Sequence, residues 1–254
     1  RLVELCGLEP RSVACPIGAF QAVVGSSKFS FSYYITGFLI LLGVLLGRFI
    51  CGFLCPFGWF QELLHKIPTK KLSTKKLKPL TYLKYAVLLV MVFLLPAFLV
   101  NDVGMGDPFF CKYLCPQGVM EGAIPLSLAN SGIRSALGSL FTWKFGILLA
   151  VIVLSVIFYR PFCKWLCPLG AFYALFNRVS LFQIKVDKNK CVSCGKCAKA
   201  CKMDVDVTKA PNHTECIRCG MCIRTCPTGA VRFRYGFGDG KDKIKAAKKA
   251  AEKQ

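Results

Sequence analysis

Eight cysteines fall into two runs of one spacing, Cys191-x2-Cys194-x2-Cys197-x3-Cys201 and Cys216-x2-Cys219-x2-Cys222-x3-Cys226-Pro227. Three thiolates so spaced can wrap one corner of a cubane iron–sulfur cluster, while the trailing cysteine reaches across to a neighbouring cluster. The runs therefore read as two 4Fe–4S sites, one of Cys191, Cys194, Cys197 and Cys226, the other of Cys216, Cys219, Cys222 and Cys201. Paired zinc ribbons also use Cys-x2-Cys, but zinc takes four ligands per site and more usually shows two separated pairs than two triplets with trailing cysteines. Lys202 rather than proline follows Cys201, which leaves the ligand count intact.

The remaining eight cysteines lie in an internal repeat. Cys15-Pro-Ile-Gly-Ala-Phe, Cys55-Pro-Phe-Gly-Trp-Phe, Cys115-Pro-Gln-Gly-Val-Met and Cys167-Pro-Leu-Gly-Ala-Phe share the pattern Cys-Pro-x-Gly. Cys51, Cys111 and Cys163 each precede one of these by the same interval; Cys6 stands farther from Cys15. Cys-x3-Cys can set two thiolates about one helical turn apart, with proline ending the turn and glycine permitting tight backbone. Each motif then supplies half of the ligands of a cubane, and two motifs must meet.

Which motifs meet depends on the elements that carry them. Phe31 to Ile50, Leu80 to Val100 and Trp143 to Tyr159 are apolar enough to span a bilayer, at about 1.5 Å per residue against roughly 30 Å of hydrocarbon. The first motif precedes span one and the second follows it, and the third and fourth flank span three in the same way. The chain is thus two parallel copies of motif, helix, motif, whose like ends come together. Cys51, Cys55, Cys163 and Cys167 pair at one face, and Cys6, Cys15, Cys111 and Cys115 at the other. Two alternatives stay open: disulfides in the outer set, or a re-entrant Leu80 to Val100 that puts all eight cysteines on one face.

Basic residues orient the spans. Lys66, Lys70, Lys71, Lys75, Lys76 and Lys78 lie between the first two, and twenty Lys and Arg lie from Arg160 onward, so these regions are expected to be cytoplasmic. The expected fold is an all-α polytopic membrane domain of about three spans with a parallel internal repeat, followed by a small α+β two-cluster ferredoxin domain. Its segments are an extracytoplasmic stretch over residues 1–30, a transmembrane domain over 31–180, a ferredoxin domain over 181–238 and a basic tail over 239–254. Short β-type pieces at Phe182–Val186 and Ala230–Tyr235 could pair around the cysteines. The chain opens on Arg1 without a recognisable signal peptide, so an upstream segment is expected.

Sixteen cysteines in 254 residues, 54% hydrophobic content and a mean hydropathy of +0.50 favour metal over a secreted disulfide scaffold. The formal charge of +21 counts every thiol as neutral. Four clusters at roughly −2 each bring it to about +13, and the remainder suits lipid head groups and acidic redox partners rather than nucleic acid.

Where Arg160-Pro-Phe-Cys163-Lys-Trp-Leu-Cys167-Pro-Leu-Gly-Ala leads into Cys191-Val-Ser-Cys194-Gly-Lys-Cys197, the chain resembles the membrane polyferredoxins of the NapH and NosR type. That resemblance implies a prokaryotic cytoplasmic-membrane protein with a cytoplasmic ferredoxin domain, associated with quinol oxidation or with feeding electrons to periplasmic reductases. It implies that Cys51, Cys55, Cys163 and Cys167 form the cluster-associated motif, and that Cys191 through Cys226 supply the ferredoxin ligands.

The sequence has no Cys-x-x-Cys-His, Walker loop or Gly-x-Gly-x-x-Gly, so it reads as a wire without terminal chemistry of its own. Expected partners are other subunits of a redox complex, a cytoplasmic ferredoxin or dehydrogenase, and quinone. The competing function is a metal-reducing assembly factor that prepares copper for a respiratory oxidase. His65 is weighed as a quinone or proton residue against a plain interfacial one, Glu62 and Glu121 as proton shuttles, and His213 as a solvated loop residue.

Overall fold

The computed structural model describes residues 16–24, 31–69, 71–72, 74–99, 108–129 and 138–236. Cys6, Cys15 and the tail beyond residue 236 lie outside them.

Among the described residues two helices are long and apolar enough to cross a membrane, Pro79–Phe98 and Ser139–Ile157. The second exposes Phe145, Leu149 and Val153 at helical spacing, a stripe suited to lipid. The expected first span is shorter than the sequence suggests: its helix runs from Phe31 to Leu46 and is cut at Gly47, which turns left-handed at φ 57°. A Cβ at Gly47 would sit 2.7 Å from the Arg218 guanidinium and 2.9 Å from Asn177 Oδ1. The chain stops the helix there because the second domain docks against that turn.

The helix over Pro79–Phe98 is not uniform. Its centre, Leu88–Leu94, winds as a π-helix between the α-helical pieces Leu83–Val87 and Leu95–Phe98. Two further π turns, Phe110–Leu114 and Val119–Ala123, flank the third cysteine motif. Such turns recur at functional sites because they re-aim side chains without ending the helix. One apolar core joins these elements, with Phe20, Phe57, Val92, Phe110, Val119, Phe162, Ala171 and Tyr173 buried together. Helix Pro16–Val24 enters it through Phe20, whose ring lies 5.5 Å from Phe93 and 5.8 Å from Phe172.

The ferredoxin domain is closed by the ribbon that the sequence suggests. Phe182–Val186 and Val231–Tyr235 pair antiparallel, with Phe182 opposite Tyr235 and Val186 opposite Val231. Ile184 and Val231 are buried under this ribbon with Val207 and the thiols of Cys197, Cys216 and Cys222.

Candidate metal centres

The three Cys-x3-Cys motifs are built alike. The first cysteine sits in a short helical segment, Phe49–Phe53, Phe110–Leu114 or Pro161–Trp165. The second is extended, at φ/ψ of −79°/111° for Cys55, −77°/112° for Cys115 and −70°/113° for Cys167. Its amide reaches back five residues: Cys55 to Ile50 at 3.2 Å, Cys115 to Phe110 at 2.9 Å and Cys167 to Phe162 at 2.9 Å. Proline forces the extended conformation on the residue before it. In the second and fourth motifs it opens the next helix instead of merely ending a turn, since Pro56 and Pro168 stand at the start of Pro56–Leu64 and Pro168–Phe176.

The second and fourth motifs clasp each other reciprocally. Arg48, three residues before Cys51, donates from Nη2 to the Cys163 carbonyl at 3.4 Å. Arg160, three residues before Cys163, donates from Nη1 to the Cys51 carbonyl at 2.8 Å. The motif glycines make room for these crossings: a Cβ on Gly58 would meet Arg160 Nη1 and the Cys51 carbonyl at 3.2 Å, and one on Gly170 the Cys163 carbonyl at 3.3 Å. Gly118 of the third motif, which has no such arginine, has open space around it. The position six residues after the Cys-Pro cysteine follows the same exchange. Gln61 Nε2 donates to Cys163 Sγ at 3.5 Å, and buried Tyr173 lies close enough to Cys51 to feel its charge.

Cys51, Cys55, Cys163 and Cys167 are within electrostatic reach of one another. Burial pushes the Cys163 thiol up to about 12, with Cys55 and Cys51 adding to it. Burial pushes Cys167 well up, with Cys163, Cys51 and Cys55 adding. Four thiolates could not coexist in such a pocket without a cationic partner, which an iron core provides. The surrounding charges suit that anionic assembly: Arg48 and Arg160 are almost wholly buried, and the Nε of each has no hydrogen-bond partner.

In the ferredoxin domain the thiols fall into two groups. Cys191, Cys194, Cys197 and Cys226 line one small cavity. The charges of Cys201, Cys216 and Cys219 all act on Cys222, whose thiol burial pushes up to about 12. Both loops turn through equivalent left-handed residues, Ser193 at φ 52° and Arg218 at φ 54°, each one place before a cysteine. Non-glycine residues in this region cost energy and concentrate at functional sites. Among the described residues no three His, Cys, Asp or Glu side chains are tight enough to grip a single ion. A cubane has no such need, because its four thiolates bind four different irons.

The two domains meet at the cysteines. Arg48 Nη1 donates to the Thr214 carbonyl at 2.8 Å and to Glu215 at 2.9 Å, and Lys84 pairs with the same carboxylate. Burial alone would raise the Glu215 carboxyl; Arg48 and Lys84 hold it below its ordinary range. Asn177 Nδ2 donates to the Cys216 carbonyl at 3.0 Å, and Arg218 donates to the Leu46 carbonyl at 2.8 Å. Gly52 faces the Ile217 carbonyl, which a Cβ would approach to 2.9 Å, so the chain beside Cys51 lies against the chain beside Cys216. Lys202, in place of proline, offers its carbonyl to Lys164 at 3.3 Å and its ammonium to the Tyr159 ring at 5.1 Å.

Cys111 and Cys115 are half-buried and buried in the same core as Cys51 and Cys55. The third motif is not held a bilayer thickness away. Phe110, beside Cys111, lies 6.5 Å ring to ring from Phe162, beside Cys163. Lys144 donates to the Cys111 carbonyl at 2.9 Å from five residues inside helix Ser139–Ile157, about 8 Å from its start.

Of the other candidates, His65 is buried edge-on to Tyr159 at 5.4 Å, its Nδ1 has no partner, and it lines a cavity with Lys71, Lys164 and Lys202. Glu62 is tied to Arg160 at 2.6 Å; burial would raise its carboxyl, but Arg160 keeps it below the ordinary range, so it stays ionised and is a poor proton carrier near neutrality. Glu121 is exposed and accepts from Gln117. His213 is exposed, and its Nδ1 accepts from the Glu215 amide at 3.1 Å. Arg48, Arg160, Gln21 and Gln61 escaped sequence reading, although Arg-x2-Cys-x3-Cys-Pro-x-Gly recurs in the second and fourth motifs and Gln follows the first and second at one interval.

A family model described as a 4Fe-4S binding domain matches residues 12–34, 30–75, 84–124 and 140–189, each match enclosing one Cys-Pro-x-Gly motif. A second model with the same description matches 184–205 and 210–232. The chain belongs to the membrane-associated polyferredoxin family of 4Fe–4S electron-transport proteins. Protein MJ0750 of Methanocaldococcus jannaschii is 32% identical over 78% of this chain and 77% of its own length. The methylamine utilization ferredoxin-type protein MauN of Paracoccus denitrificans is 27% identical over 73% of this chain and 56% of its own length. The ferredoxin-type protein NapH of Haemophilus influenzae is 29% identical over 43% and 52%. No solved structure matches. The last two names speak of ferredoxins, and the copper-reducing alternative is not favoured.

Proposed function

We propose that the chain is a membrane electron conduit with four 4Fe–4S sites in series. In order, these are the set of Cys111 and Cys115 with Cys6 and Cys15; Cys51, Cys55, Cys163 and Cys167; Cys201, Cys216, Cys219 and Cys222; and Cys191, Cys194, Cys197 and Cys226. Bound clusters would supply one-electron redox chemistry at each site. The protein's own part is to exclude water, to place buried arginines around thiolates, and to keep neighbouring sites in packed contact. The observation that carries the reading is the packing between neighbouring motifs, Phe110 on Phe162 and Gly52 against the Ile217 carbonyl; the shared cavity of Cys191, Cys194, Cys197 and Cys226 and the influence of Cys201 on Cys222 support it.

In this reading the ferredoxin domain is cytoplasmic, which the lysine-rich Lys66 to Lys78 segment and the basic residues after Arg160 support. The partners are a soluble donor or acceptor on that side and another redox subunit, with quinone exchanging electrons near His65. Sealed vesicles containing the protein, with a redox dye trapped inside and a membrane-impermeant reductant outside, test the path. Reduction of the trapped dye without added quinone is expected. Reduction of the clusters alone, with the dye reacting only when a quinone is added, would contradict a continuous path.

A further inference from the structure

Gln61 has two jobs in the clasp between the second and fourth motifs. Its Oε1 accepts from the Phe162 amide at 3.3 Å, and its Nε2 donates across the clasp to Cys163 Sγ at 3.5 Å as well as to the Phe57 carbonyl of its own helix at 3.4 Å. Gln21 stands at the same place in its own repeat, six residues after Cys15 as Gln61 is six after Cys55. Its Oε1 accepts from the Phe110 amide, also at 3.3 Å, and Phe110 precedes Cys111 as Phe162 precedes Cys163. One half of the arrangement thus recurs between the first and third motifs. The other half is open: Gln21 is fully buried, yet its Nε2 has no hydrogen-bond partner. A buried amide donor without an acceptor is costly and calls for an explanation.

We propose that Gln21 and Gln61 are equivalent positioning residues, each fixing the backbone beside a partner motif's first cysteine and each aiming an amide N–H at the sulfur of the site there, Gln21 toward the Cys111 set and Gln61 toward the Cys163 set. This rests on the four-site reading above and deepens it, because it makes the first and third motifs a clasped pair like the second and fourth. A hydrogen bond to a thiolate or sulfide stabilises the more negative, reduced form, so each glutamine raises the reduction potential of its own site.

The test is redox titration followed by EPR on anaerobically purified Gln21→Leu, Gln21→Glu and Gln61→Leu, with iron counted in each. Gln21→Leu is expected to lower the potential of one cluster about tenfold in its reduction equilibrium, about 59 mV for one electron. Gln61→Leu should do the same to a different cluster, with iron content unchanged in both. Gln21→Glu keeps the shape and the acceptor for Phe110, and should retain iron while shifting the same cluster as Gln21→Leu. Wild-type iron content tests the underlying reading separately: about twelve irons per chain would remove the Cys111 site and Gln21's role with it. With about sixteen present, the proposal is overturned if the Gln21 variants shift no potential, shift the cluster that Gln61→Leu shifts, or both lose iron.

Discussion

At the residue scale, the reciprocal arginines are the distinctive feature. Arg160 serves the Cys51 and Gly52 carbonyls and Glu62 from one fork, and Arg48 serves Cys163, Thr214 and Glu215. Buried cations beside four thiolates offset the repulsion that an anionic site would otherwise feel in a low-dielectric core. Arg160→Met leaves Glu62 without its main partner and two carbonyls without a donor. It is expected to destabilise the protein by about 3–5 kcal/mol, read as a lowered thermal midpoint, and to lower the potential of a single cluster. Arg160→Lys restores the charge but not the fork, so the potential should recover further than the thermal midpoint. Equal recovery of both would show that the arginine acts by charge alone. The cysteines themselves were legible from spacing; the arginines were not, since an Arg near a membrane end reads first as an orientation signal.

At the element scale, glycines and π turns set how closely the motifs approach. Gly52→Val would press a side chain onto the Ile217 carbonyl, 2.9 Å from where its Cβ must stand. That carbonyl belongs to backbone held by its neighbours, so the docked domain must shift, at a cost of about 1–3 kcal/mol. Faster proteolysis of the ferredoxin domain and slower electron transfer between the second and third sites are expected. Gly146→Ala, whose Cβ meets nothing within 4 Å, is the control that should change neither. The ferredoxin ribbon and two of the three long helices could be read from apolar runs and β-type pieces. The break at Gly47 could not, because its cause is Arg218, 171 positions away in sequence and brought there only by docking. The π turns around Cys111 and Cys115 also leave no local mark, since the chain there is as apolar as an ordinary helix.

At the scale of the whole molecule, the sequence posed a problem on which the packing of the third motif bears. Sites on opposite faces of a roughly 30 Å hydrocarbon layer would exchange electrons slowly. The third motif instead folds inward, with Phe110 on Phe162 and the Cys111 carbonyl on Lys144. Periodicity marks which residues are apolar but not how deep a loop between them lies, so an approach of the third motif to the fourth stood in the sequence only as the re-entrant alternative. The Cys-Pro-x-Gly recurrence could be read directly from the sequence, whereas the Arg48/Arg160 exchange and the matched Gln21/Gln61 bonds between motifs could not. The central claim is four contiguous sites, and it is tested most directly by iron and acid-labile sulfide per chain on anaerobically purified protein, with EPR during stepwise reduction. About sixteen irons, with spectra that broaden through spin coupling as neighbouring sites fill, is the result predicted from four cubanes. About eight irons with two coupled signals would leave only the ferredoxin domain loaded and contradict the account.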